Sequence, residues 1–204
     1  MKKLFLCSFF SDTSSLLSTF AGPDLAGKTV TFIPTAGNVE KVTFYIESAR
    51  KIFRKLGIKI DELDIAQATP QEISEKLRGN DFIYVSGGNT FYLLQEMKRS
   101  GADKIINECV DAGRLYIGES AGSVITSPNI QYVDMMDPVG KAPLLDNFDA
   151  LNLVDFYTLP HYASFPFKKA CEKVIAKYGD SLALRPITNK QAMTVEGDVV
   201  TLVE

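Results

Sequence analysis

The chain has 204 residues, 46 % of them apolar and 23 % charged, a composition that builds one globular domain over residues 1–204 with a full buried core and rules out a disordered chain. Lys and Arg number 22 against 25 Asp and Glu, a net charge of −3, so there is no basic field to hold nucleic acid or an anionic membrane. Three cysteines without CxxC spacing and a single histidine, His161, argue against a disulfide framework, a cysteine-based zinc site and any mechanism that needs two imidazoles.

Met1-Lys2-Lys3 followed by Leu4–Phe10 mimics a short signal peptide, but the apolar run stops at Ser11-Asp12 and no Ala-x-Ala pattern follows. The segment reads as a first buried strand, and the protein as cytoplasmic with reduced cysteines. Ser11–Ser18 is serine-rich and reads as an exposed loop. Further short apolar runs at Val30–Pro34, Ile58–Leu63, Phe82–Val85 and Leu115–Ile117 read as strands. Between them lie helical patterns at Val39–Leu56, stopped by Gly57, and at Pro70–Leu77, opened by Thr69-Pro70. Thr90–Arg99 and Ala102–Ala112 end before Gly101 and Gly113. Pro128–Asn147 carries three prolines and reads as a long loop, of the kind that is usually functional. A strand at Phe156–Leu159, a helix at Pro166–Tyr178 and strands at Leu182–Arg185, Gln191–Val195 and Val199–Val203 follow, with Glu196-Gly197-Asp198 as the turn of a closing hairpin. Such alternation predicts an α/β fold: a doubly wound, mostly parallel sheet with helices on both faces and a C-terminal β-hairpin.

Three constellations carry chemistry. Gly118-Glu119-Ser120-Ala121-Gly122 is a G-x-S-x-G set between a strand and a helix start. Glycine on either side of the serine lets the chain turn sharply, presents the Ser120 hydroxyl above the sheet, and aims the Ala121 N–H at a developing oxyanion. His161 lies just past a predicted strand, where parallel sheets gather their sites, and is the one imidazole available as a general base. Ser86-Gly87-Gly88-Asn89-Thr90 joins a strand to a helix. Its amides can form an anion nest, with Thr90 as helix cap and Gly88 as a second oxyanion donor; a phosphate site and a plain tight turn are the other readings. It has neither the lysine of a P-loop nor dinucleotide-fingerprint spacing.

Val85-Ser86-Gly87-Gly88-Asn89-Thr90-Phe91, the Ser120 pentapeptide, Pro160-His161-Tyr162 and Phe148–Leu153 together resemble the dipeptidase E family of serine peptidases, aspartyl dipeptidases and cyanophycinase relatives with a class I glutamine amidotransferase-like fold. The resemblance implies Ser120 as nucleophile, His161 as base, Gly88 and Ala121 as oxyanion donors, and no cofactor or metal. Related amidotransferases carry cysteine at the elbow, where this chain has serine. The acid that orients the histidine in such enzymes has two counterparts here: Asp134, with Asp137 nearby, and Asn189, which is an amide. The site is therefore read as a triad with Asp134, a triad with Asn189, or a Ser–His dyad. Selection of an N-terminal aspartate needs a cation, for which Lys168 and Lys169 are available; Asn89 and Lys168 are the candidate substrate contacts. The expected partner is a small peptide, and the expected state a monomer or homodimer. A non-catalytic flavodoxin-like anion-binding module and a degenerate peptidase are the alternatives.

Overall fold

Alternation along the first strand sets the layering of the molecule. In the computed structural model, which describes residues 1–204, strand β1 (Lys3–Cys7) sends Leu4 and Leu6 into one apolar core and Phe5 and Cys7 into another. All four are fully buried, as the two-residue pleat requires of a strand covered on both faces. Strands β2 (Thr29–Ile33), β3 (Lys59–Glu62), β4 (Phe82–Val85) and β5 (Leu115–Glu119) form the rest of the parallel centre. The hairpin of β8 (Ala192–Glu196) and β9 (Val199–Val203) adds antiparallel to the far side of β1, giving the order β3-β2-β4-β5-β1-β8-β9.

Helices α1 (Phe10–Ala21) and α2 (Phe44–Lys55) bury Phe10, Leu17, Ile46 and Phe53 against one face. Helices α3 (Pro70–Gly79), α4 (Thr90–Ser100) and α5 (Ala102–Asp111) bury Ile73, Leu77, Leu93, Met97, Ile106 and Val110 against the other. Thr69 caps α3 by accepting the Glu72 N–H at 3.2 Å. Gly101, at φ 75°, takes the left-handed turn between α4 and α5 that a side chain would strain. The order of elements and the two-faced coverage agree with the expected doubly wound sheet.

Three elements differ from expectation. Ser11–Ser18 is helix, not loop: Phe10, Thr13 and Leu17 recur at helical spacing and point inward, while the serines take the exposed face. Residues 40–43 are not helical, because a 3₁₀ turn at Thr35–Val39 precedes α2 and redirects the chain. The strand before His161, β6 (Tyr157–Leu159), is outside the main sheet; it pairs in parallel with β7 (Leu184–Pro186) across α7 (Lys168–Tyr178). Pro128–Asn147 is irregular, as expected, yet buries Ile130, Tyr132 and Val133 in the larger core. No helix is long and apolar enough to cross a membrane.

Phe53 is fully buried, stacked on Phe10 at 4.9 Å between ring centres and edge-on to Tyr84 at 5.1 Å. Phe53→Ala is expected to cost about 3–5 kcal/mol in urea unfolding, since few neighbours can collapse into a space bounded by other rings. A loss under about 1 kcal/mol would show that this face is loosely packed.

Candidate active site

The turn from β5 into the one-turn helix α6 (Ala121–Val124) is built by absent side chains. A Cβ on Gly118 would lie 2.5 Å from the Gly122 carbonyl oxygen, and one on Gly122 would lie 2.1 Å from the Val85 carbonyl oxygen. With those atoms missing, the chain reverses at Ser120, whose φ of 49° and ψ of −107° lie where a serine is strained. Hydrogen bonds hold the strain in place. Ser120 N–H donates to the Cys7 carbonyl at 2.9 Å, and Ser123 Oγ reaches the Cys7 and Gly118 carbonyls, each at 2.8 Å. The hydroxyl is thereby fixed over the carboxyl ends of β1 and β5.

His161 arrives from the small sheet. Its φ is 61°, again left-handed, and its N–H donates to Ser8 Oγ at 3.0 Å. Ser8 Oγ itself donates to the Ile187 carbonyl at 3.0 Å, and Tyr162 N–H reaches the same carbonyl at 3.0 Å. Ser8, one residue beyond β1, therefore ties both sheets to the histidine backbone. The imidazole Nε2 lies 2.9 Å from Ser120 Oγ, and Nδ1 lies 2.8 Å from Asn189 Oδ1, in the turn after β7. An amide oxygen only accepts, so Nδ1 carries the proton and Nε2 presents its lone pair to the serine hydroxyl. The ring stacks on Phe167 at 4.7 Å. Burial holds the imidazole below its ordinary pKa, against the smaller upward pull of the Asn189 bond, so it is neutral and basic at pH 7.

Gly87 and Gly88 pass beside the serine. A Cβ on Gly87 would sit 3.3 Å from Ser120 Cβ, and one on Gly88, at φ 135°, would strike the Ala36 carbonyl at 2.2 Å. The Gly88 N–H makes no hydrogen bond within the chain. Ala121, the first residue of α6, has no intrahelical acceptor for its own. The site thus offers a hydroxyl, a base, a base-orienting amide and two backbone donors.

Not every candidate belongs to this group. Asp134 does not meet His161: the 3₁₀ turn at Gln131–Val133 points it toward α7, where Oδ2 lies 3.6 Å from Lys177 Nζ. Asn189 holds the position for which both were candidates. Asn89 is fully buried and spent on structure, since Oδ1 caps α4 by accepting from Tyr92 N–H at 2.9 Å and Nδ2 donates to the Pro138 carbonyl at 3.1 Å. The cap of α4 is therefore Asn89 and not Thr90. Lys168 and Lys169 stand exposed on the first turn of α7 and do not line the cavity.

Of two further carboxyl groups at the site, Glu119 escaped the sequence reading and Asp137 entered it only as the neighbour of Asp134. Glu119 is buried beside Ser120, accepts the Phe10 N–H at 2.7 Å and the Tyr84 hydroxyl, and is pushed up to about 7 by burial. It anchors the start of α1 to the elbow. A charged residue in an otherwise apolar strand was the available signal. Asp137 accepts both the Thr90 N–H at 2.9 Å and Thr90 Oγ1 at 2.5 Å, and burial pushes it up to about 6. These groups line a cavity of about 600 Å³ that contains Ser120, His161 and Asn189. No cluster of three or more His, Cys, Asp or Glu side chains is arranged to hold a metal ion.

Comparison with known proteins points to peptidases. Residues 6–203 match the model of peptidase family S51. An uncharacterized peptidase of Listeria monocytogenes is 56 % identical over 202 residues, covering 98 % of each chain. A peptidase E of Shewanella amazonensis is 38 % identical over 134 residues, 66 % of this chain and 54 % of the relative. A crystal structure from Listeria monocytogenes EGD-e, provisionally assigned as a peptidase E, superposes with a TM-score of 0.96 at 55 % identity, covering 100 % of this chain and 98 % of that one. A peptidase from an acI-B1 actinobacterium shares the fold with a TM-score of 0.71 at 20 % identity, covering 100 % of this chain and 87 % of that one.

Because His161 is the one histidine, its imidazole signals in NMR are unambiguous. The titration midpoint is expected below the ordinary value of 6.5, with the neutral form persisting into mild acid. In Asn189→Leu the midpoint should fall further, since the bond that favours the protonated ring is gone. A wild-type midpoint above 6.5 would contradict the burial argument.

Proposed function

The chain belongs to peptidase family S51, and on that premise we propose that it is a serine peptidase that cleaves short peptides through an acyl-enzyme on Ser120. The observation that carries this reading is the 2.9 Å contact between Ser120 Oγ and His161 Nε2, made at a strained elbow beside two free backbone donors. In the reaction, Ser120 Oγ attacks the scissile carbonyl carbon while its proton passes to Nε2. The Gly88 and Ala121 N–H groups receive the oxyanion. The C–N bond then breaks, Nε2–H protonates the departing amine, and an ester remains on Ser120. Water, deprotonated by Nε2, attacks that ester, and the proton returns to Ser120 Oγ as the carboxylic acid product leaves.

Asn189 is the orienting third member. Its amide fixes the tautomer but brings no charge to the imidazolium that forms in each half-reaction, so it is a weaker partner than a carboxylate. Enclosure favours a small substrate: the loop at Pro128–Asn147 and the start of α7 wall the cavity through Val133, Met136, Pro138 and Phe167.

A fluorophosphonate probe is expected to label wild-type protein at Ser120, and labelling should vanish in Ser120→Ala and His161→Ala. Peptide turnover should drop by at least on the order of 10⁴ in either variant. Absence of labelling in folded wild type would favour a non-catalytic anion-binding module instead.

A further inference from the structure

The cavity around Ser120 is lined by Glu40, Glu119 and Asp137 and by no lysine or arginine. None of these three carboxyl groups has a cationic partner in the chain. Lys41, directly after Glu40, is exposed and forms no ion pair, and Lys141, four residues after Asp137, donates its Nζ to the Val39 carbonyl at 3.2 Å. Both oxygens of Glu119 are occupied by Phe10 and Tyr84, but Glu40 makes no side-chain bond and Asp137 uses one oxygen alone, on Thr90. The hydroxyl of Tyr45, on the same wall, is buried with no hydrogen-bond partner.

The mouth is apolar as well as anionic. Val42, Phe44 and Phe165 line it while 62 %, 63 % and 95 % exposed, an exposure of large apolar groups that marks a contact surface. An acyl-side residue with a carboxylate side chain would enter a field of its own sign with nothing to neutralise it, a juxtaposition that disfavours binding strongly. A protonated amino terminus meets the opposite situation.

From this arrangement we propose that the site selects short peptides with a free, protonated amino terminus and an apolar first side chain, with Glu40 and Asp137 facing the ammonium group, and that it rejects an N-terminal aspartate. This substrate class rests on the serine-peptidase reading, yet its recognition half can be measured without the reaction. Asp137 is held at the start of α4 beside the Gly88 turn, which places the ammonium contact next to the oxyanion donors. Tyr45 supplies a neutral polar atom to the same substrate end, since burial and the neighbouring carboxylates hold its phenol protonated.

The test titrates Ser120→Ala protein calorimetrically with Leu-Leu, Asp-Leu and N-acetyl-Leu-Leu, and measures kcat/KM of wild type on the same three. Leu-Leu is expected to bind at least about tenfold more tightly than either of the others, with the same order in kcat/KM. Glu40→Gln should narrow the gap between Leu-Leu and its acetylated form. Tighter binding of Asp-Leu, or equal binding of free and acetylated peptides, overturns the proposal. Probe labelling of Ser120 separates this failure from that of the parent reading: a labelled protein that prefers Asp-Leu is a hydrolase with a different specificity.

Discussion

One backbone hydrogen bond, from Ser120 N–H to the carbonyl of Cys7 at 2.9 Å, joins the two central strands at the point where both end. Everything the site offers is arranged around it. Strands β1 and β5 run in register from Lys3 opposite Leu115 to Cys7 opposite Glu119, so the chain leaves the sheet at a fixed height. Beyond that register β5 must turn at once, because Gly118 and Gly122 admit contacts of a kind no Cβ could share. The strain at Ser120 is thus over-determined by neighbours on three sides: the Cys7 carbonyl, the Val85 carbonyl and the Gly87 backbone. Strain of this kind persists only where the surroundings leave no alternative, and it keeps the hydroxyl from relaxing into a helix cap.

The histidine is held by the same logic from a different part of the chain. Ser8 follows directly after Cys7 and receives the His161 N–H, while its own hydroxyl proton goes to Ile187 beyond β7. The small sheet is therefore fastened to the end of β1 by one buried side chain, and the separation of imidazole and hydroxyl is set by two adjacent residues, Cys7 and Ser8. Loss of the Ser8 hydroxyl leaves a buried amide and a buried carbonyl without partners at once, which is more costly than a single missing bond.

How much of this was legible depended on whether a feature was local. The elbow, the Gly87-Gly88 turn and the order of strands and helices are written in short spacings, and the structure contains them. Helix α1 was not legible because serine is a poor helix former and the three inward positions, Phe10, Thr13 and Leu17, do not form an apolar run. The third member of the site illustrates the other limit. Asp134 has the right chemistry and lies in the loop after the elbow, but a single 3₁₀ turn rotates it toward Lys177. Asn189 has the weaker chemistry and the right place. Choosing between them required the turn geometry after β7, which no residue pattern in that segment encodes. Lys168 failed for a related reason: proximity to His161 in sequence says nothing of which side of α7 faces the cavity.

The electrostatics of the cavity separate two tasks that compete elsewhere. A carboxylate close to an imidazole raises its pKa. Here the causes acting on His161 are burial, which lowers it, and the amide of Asn189, with no carboxylate among them. Glu40 instead acts on Asp137, and both act on Tyr45. A region with carboxylates and an imidazole on which no carboxylate acts therefore coexist within one pocket of about 600 Å³. An amide in place of an acid at position 189 fits that division, because it orients the ring without adding a further negative charge beside it. In the proposed reaction the imidazolium is consequently short of electrostatic support, and binding of the substrate's ammonium end carries more of the work of positioning the scissile bond against Ser120.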